Sequence, residues 1–174
     1  MLSLAAFGAE PWIAFWRNIP LVGRLLDTGA LPWAKIPSLY VALRTLGLAA
    51  LPAYVLHAIA TLGVMAAVAY IWRGAAPLRL RGAVLVTGAL LMPPYLFDYD
   101  LALLAIPIAI LAWEGLQRGW LQYEREILFA AWLTPLAAPG IAEHLGIPLA
   151  WPILLLLFVV AVRRARAAPQ PARD

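Results

Sequence analysis

A chain of 174 residues is long enough for one domain, yet 64% of it is hydrophobic and only 13% charged, with a mean hydropathy of +0.85. Soluble domains run nearer half apolar and a quarter charged, and a domain this small has too much surface to hide so many apolar side chains, so the composition calls for a bilayer as second solvent. The absence of cysteine excludes disulfides and thiolate metal sites, and the net charge of +4 is gathered at particular points, which favours membrane orientation over nucleic-acid binding.

The N-terminal stretch MLSLAAFGAEPW has no basic residue before its apolar part and soon meets Glu10-Pro11. It fits neither a signal peptide nor a spanning helix. Beyond it, Glu10, Arg17 and Arg24 recur every seven residues, a stripe if the helix is continuous. Trp12, Ile13, Phe15, Trp16, Leu21, Leu25 and Leu26 supply an apolar face. Pro20 is expected to break this helix in two. The pattern is that of amphipathic helices lying in the membrane interface. GALPWAKIPSLYVALRTLG follows, a Pro-punctuated loop and then a short helix from about 38 to 46. Residues 1–48 thus form an extracytoplasmic interfacial segment.

Five membrane spans are predicted over 52–72, 82–97, 101–113, 127–142 and 149–162. All but the first are short against the roughly 20 residues of a straight crossing. They borrow flanking residues or are irregular inside a bundle. The fold class is therefore all-α: a polytopic helical bundle over 49–163, preceded by the interfacial helices. Residues 164–174 read as a disordered cytoplasmic tail. With five spans, the 73–81 loop, the 114–126 loop and the tail share one side, which holds nine basic and four acidic side chains. The other side holds four basic and five acidic ones. The basic side is the cytoplasmic one, so the protein is a multi-pass protein of the cell (inner) membrane with its C-terminus in the cytoplasm.

In LLMPPYLFDYDLALLAIPIAIL, Asp98 and Asp100 interrupt a run that is otherwise hydrocarbon. Pro93 and Pro94 end the regular helix before them. A carboxylate at the bilayer centre would cost at least about 2.5–3.5 kcal/mol. Both aspartates therefore belong at the water boundary or on a wet cavity. They either mark a turn or, with Tyr95 and Tyr99, line a polar pocket suited to sugar hydroxyls. Arg17, Arg24, Lys35 and Arg44 lie on the same side. They either snorkel to headgroups or capture a lipid phosphate, for which Arg is geometrically suited. His57, about a turn inside the first span, and His144, beside Glu143, are open to packing and functional roles alike. They are too far apart in sequence to suggest a histidine metal cluster, and no metal or cofactor is expected. Pro107, Pro135 and Pro139 are expected to kink their spans. Walker and dinucleotide-binding motifs are missing.

Three blocks, FGAEPWIAFWRNIPL, GALPWAKIPSLYVALRTLG and PPYLFDYDLALLAIPIAILAWEGLQRGW, together resemble the C-terminal half of bacterial membrane proteins of glycosyltransferase family 87. That family includes polyprenol-phosphate-mannose-dependent mannosyltransferases. The resemblance extends over about 7–120. It implies a GT-C-type bundle that takes sugar, mannose in particular, from a polyprenyl-phosphate donor at the extracytoplasmic face. Its partners would be the bilayer and that lipid-linked sugar. The resemblance limits Asp98, Tyr99 and Asp100 to a pocket-lining role. Family members carry a catalytic acid in an earlier outer loop with no counterpart here. The chain thus resembles a truncated enzyme, or one half that works with a separate N-terminal half. The rival expectation is a transporter or flippase-like component using Asp98 and Asp100 as an ion or proton site.

Overall fold

The computed structural model describes residues 2–168, apart from the side chains of Ala5, Ile19, Val22 and Asp27. Among these residues every regular element is helical. Two compact units form, Met1–Trp33 and Ala34–Asp174.

The first unit holds α1 (Leu2–Phe7) and α2 (Glu10–Asp27). Gly8 joins them at φ 71°, a left-handed conformation that glycine adopts without penalty. Helix α2 starts with Glu10 and Pro11 and carries Arg24 in its last turn, an arrangement that complements the helix dipole. The expected break at Pro20 does not occur: α2 runs through it. An internal proline costs about 3 kcal/mol relative to alanine. The remaining turns of this 18-residue helix absorb that loss. Continuity makes the stripe of Glu10, Arg17 and Arg24 real, since seven residues come close to two full turns.

A 3-10 turn over Trp33–Lys35 spans the division, and the second unit continues into α3 (Leu39–Thr45). Five longer helices follow: α4 (Ala50–Arg73), α5 (Leu78–Leu91), α6 (Ala105–Arg118), α7 (Glu124–Leu145) and α8 (Ala150–Ala167). A 3-10 helix over Asp98–Leu104 runs into α6. The α3 segment packs on α4, and the two compact units divide after Trp33.

The five long helices stand where the five spans are predicted, with shifted ends. Helix α5 begins at Leu78 and stops at Leu91, because two prolines follow at 93 and 94. Helix α7 continues unbroken through Pro135 and Pro139. Helix α8 continues to Ala167, so residues 164–167, assigned to the tail from sequence, are helical. The rest of that tail, 169–174, lies outside the described residues.

Among the described residues, two segments are long and apolar enough to cross a membrane, Ala50–Arg73 with mean hydropathy 1.9 and Asp98–Arg118 with 1.6. At 1.5 Å per residue, α4 is about 36 Å long and α5 about 21 Å, against a hydrocarbon core of about 30 Å. Helix α5 is the packing hub and touches α4, α6 and α8. A Cβ on Gly88 would sit 2.9 Å from Val68 and 3.4 Å from Phe158, so the α4 and α8 side chains close directly over its backbone. Leu51, Val55, Ile59, Leu62 and Met65 of α4 all face outward, as do Phe129, Trp132 and Leu136 of α7. Soluble monomers rarely present so much contiguous apolar surface, whereas hydrocarbon accepts it.

The opposite polarity appears where α4, α6 and α8 end and α5 and α7 begin. Glu114, 1% exposed, receives Arg79 Nε at 2.5 Å from α5 and Arg118 Nε at 3.5 Å from its own helix. Glu124, fully buried at the start of α7, is gripped by Arg164 of α8, whose Nε donates to Oε1 at 2.9 Å and whose Nη2 pairs with Oε2. The same Nη2 donates to the Gly119 carbonyl at 2.8 Å, and Glu124 Oε2 accepts the Leu121 amide at 2.8 Å. Arg163 adds a bond to the Gln122 carbonyl at 3.3 Å. These contacts hold the α6–α7 connection against α8. They also hold Tyr123 at φ 64°, a strained value for a residue with a side chain.

Removing one partner of a buried pair leaves an uncompensated charge, which costs about 3–5 kcal/mol. Arg164→Leu is therefore expected to lower stability by about that amount in detergent unfolding measured by circular dichroism. The double variant with Glu124→Leu should recover most of the loss.

Candidate functional site

The prolines that stop α5 leave the carbonyls of Met92 and Pro94 beyond the reach of the helix. Buried carbonyls need donors. Three side chains supply them. His57 Nε2 lies 2.9 Å from the Met92 oxygen, and Thr61 Oγ1 donates to the same oxygen at 3.3 Å. Because its partner is a carbonyl, Nε2 carries the imidazole proton. Nδ1 is then an acceptor, buried and without a hydrogen-bond donor in reach. His57 and Thr61 are four residues apart on α4 and so share a face. From the other side Ser38 Oγ donates to the Pro94 oxygen at 2.7 Å. Ser38 is also the N-cap of α3 and accepts the Val41 amide at 3.2 Å. One turn is thus pinned to two other elements through side-chain bonds.

The acidic pair follows this turn. Asp98 and Asp100 are half-buried, Tyr95 is 52% exposed and Tyr99 is 70% exposed. Asp100 Oδ2 accepts the Phe97 amide at 3.1 Å and Asp98 Oδ1 the Tyr99 amide at 3.0 Å. Each carboxylate thus closes the first turn of the 3-10 helix with one oxygen. Phe97 has no side-chain acceptor, so the reciprocal half of a capping box does not form. Phe97 and Tyr99 rings stack at 5.5 Å between centroids, with planes 5° apart. The tyrosines and aspartates therefore present hydroxyl, carboxylate and ring face on one short turn.

The four basic candidates divide between the units. Arg17 and Arg24 are exposed on α2 in the first unit. Lys35 is exposed in the 3-10 turn. Arg44, in the last turn of α3, lies 3.5 Å from the Tyr40 hydroxyl. Tyr40 is fully buried and stacks on Tyr54 of α4 at 4.0 Å. The helix carrying Arg44 is thus the one whose N-cap pins the acidic turn. His57 acts on the turn through a backbone carbonyl. His144 is exposed in the last turn of α7.

Sequence reasoning missed Ser38 and Thr61 as supports of this turn. The signal for Ser38 was present, a serine directly before an apolar helical run. Thr61 announced itself only by its spacing from His57.

A family model described as Glycosyltransferase family 87 matches residues 1–94. No curated protein and no solved structure shows a significant match. The matched stretch contains Arg17, Arg24, Lys35 and Arg44, the three pinning side chains and both prolines, and it stops before Asp98.

Ser38→Ala removes an N-cap and the Pro94 bond together, so a loss of about 1–2 kcal/mol is expected. Limited proteolysis should then cut the 92–98 turn faster than in the parent protein, with α8 unaffected.

Proposed function

Because the chain belongs to glycosyltransferase family 87, we propose that it serves the transfer of a sugar, mannose in particular, from a polyprenyl-phosphate donor to a hydroxyl acceptor at the extracytoplasmic face. The observation that carries this reading is the pinned acidic turn, whose supports lie inside the family-matched residues. In the transfer, the acceptor oxygen bonds to the anomeric carbon. The bond from that carbon to the donor phosphate breaks, and polyprenyl phosphate leaves with the electron pair. Tyr95, Asp98, Tyr99 and Asp100 orient the sugar hydroxyls, each aspartate keeping one oxygen for the backbone and one for substrate. Arg17, Arg24, Lys35 or Arg44 is the candidate to neutralise the donor phosphate as its charge develops. The acceptor proton passes to the departing polyprenyl phosphate, and Asp98 and Asp100 keep the pocket-lining role.

The topology that fits is multi-pass, with the acidic turn outside and α8 ending in the cytoplasm. Its support is the charge asymmetry, nine basic against four acidic side chains on the inner side. Helices shorter than the hydrocarbon core then cross tilted or in a locally thinned bilayer. Family membership favours transfer over the transport reading of the aspartate pair.

The test is transfer of radiolabelled mannose from a polyprenyl-phosphate donor in membranes containing the protein. Asp98→Asn combined with Asp100→Asn is expected to lower transfer about 10- to 100-fold, the loss of one or two charged hydrogen bonds to substrate. Undiminished transfer would remove the acidic turn from the site. Cysteine labelling in intact cells should find positions 24 and 98 accessible from the same, outer face.

A further inference from the structure

The basic end of the bundle carries a second concave surface, far along the chain from the acidic turn. A cleft of about 420 Å³ opens between the last turn of α4, the α4–α5 connection and the last turn of α8. Tyr70 and Arg73 line it from α4, Gly74 and Ala76 from the connection, and Arg166 from α8. Its size falls in the range of about 300–1,000 Å³ typical of small-ligand sites. The floor is made of small residues, which leave the space open. The connection that shapes it is tied down by Arg81, whose Nε donates to the Ala76 carbonyl at 2.5 Å.

Among the described residues the charge in this cleft has no ion-pair partner. Arg73 and Arg166 are exposed, and among the described residues neither takes part in a hydrogen bond or ion pair. Of the acids at this end, Glu114 is paired with Arg79 and Arg118 and Glu124 with Arg164, while Glu126 lines a different pocket with Arg125 and Trp120. Two arginines from helices distant in sequence therefore line one space with no carboxylate partner among the described residues. Tyr70, 63% exposed, lines it too, a residue type that sits at headgroup depth. Basic pockets between helices at the cytoplasmic membrane surface are suited to anionic headgroups.

We infer that the Arg73–Arg166 cleft binds the headgroup of an anionic phospholipid of the cytoplasmic leaflet, its phosphate held between the two guanidinium groups. This rests on the membrane topology proposed above, though not on the sugar chemistry. It gives the protein a lipid-dependent anchor at the end opposite the transfer site. Charge complementarity selects the occupant: a zwitterionic headgroup would bring an ammonium into a cleft whose described lining offers it no carboxylate.

The full chain in nanodiscs of phosphatidylcholine, with and without phosphatidylglycerol, tests this by native mass spectrometry of retained lipid. Each arginine near an anionic surface is worth about fivefold, so Arg73→Gln with Arg166→Gln should weaken phosphatidylglycerol retention about 30-fold. Arg125→Gln, at the same end but stacked over Trp120 and outside the cleft, should cost at most the general surface factor of about fivefold. Equal retention by the parent and double variant, or an equal loss in Arg125→Gln, would overturn the inference. So would displacement of the lipid by inorganic phosphate at equal concentration, which would mark a plain phosphate site. Release of the parent chain from membranes by carbonate would overturn the topology as well, whereas a membrane-retained chain without lipid preference would overturn this inference alone.

Discussion

The position of the acidic turn depends on one constraint: two carbonyls stranded by Pro93 and Pro94 must find donors away from water. Met92 and Pro94 find them on α4 and at the cap of α3. A helix ending in a proline pair could leave the following chain to wander. Here three side chains remove that freedom, so the 3-10 helix over Asp98–Leu104 starts from a fixed point and directs α6 back through the bundle. Every residue proposed to face sugar is displayed from that fixed point.

The other end solves a different problem with different chemistry. There, short connections bring carboxylates into a packed environment, and guanidinium groups meet them. Glu124 is satisfied by Arg164 and a backbone amide, while Arg164 also serves the Gly119 carbonyl. Glu114 is less fully served, since its second oxygen has only the longer approach of Arg118. Buried pairs of this kind add little net stability against an apolar replacement, but they punish a wrong partner heavily. Their effect is to specify which helix ends meet. Between the two polar ends the bundle is mostly apolar inside and out, and its buried Thr87 and Thr134 return their hydroxyls to carbonyls of their own helices.

Family membership and the local geometry bear on different residues. The matched stretch contains the scaffold: the amphipathic α2, the α3 cap, His57, Thr61 and the prolines. The aspartates lie just past it. The sugar-facing role of Asp98 and Asp100 therefore stands on the geometry of the turn, and the phosphate-facing role of the basic residues stands on chemistry and placement in the matched region.

Sequence by itself determined the solvent, the element types and most of their limits. Composition demanded a bilayer, and apolar runs of helical length produced the long helices. Pro93 and Pro94 ended α5 through their missing amides, and Ser38 began α3. These are local effects, legible because cause and consequence lie within a few residues. Sequence reasoning erred where a local rule met a larger context: α2 passes through Pro20, because its other turns outweigh one lost bond, and α8 runs past Arg164, because that arginine is buried against an acid. Only the tertiary structure decided which polar groups meet. His57 and Met92 are 35 residues apart, Arg79 and Glu114 likewise, and Glu124 and Arg164 are 40 apart. Glu114 and Glu124 looked like loop charges facing water, and Arg164 like part of a tail. Their pairing follows from antiparallel packing of helices whose lengths and tilts set which ends coincide, and no periodicity along the chain encodes that register.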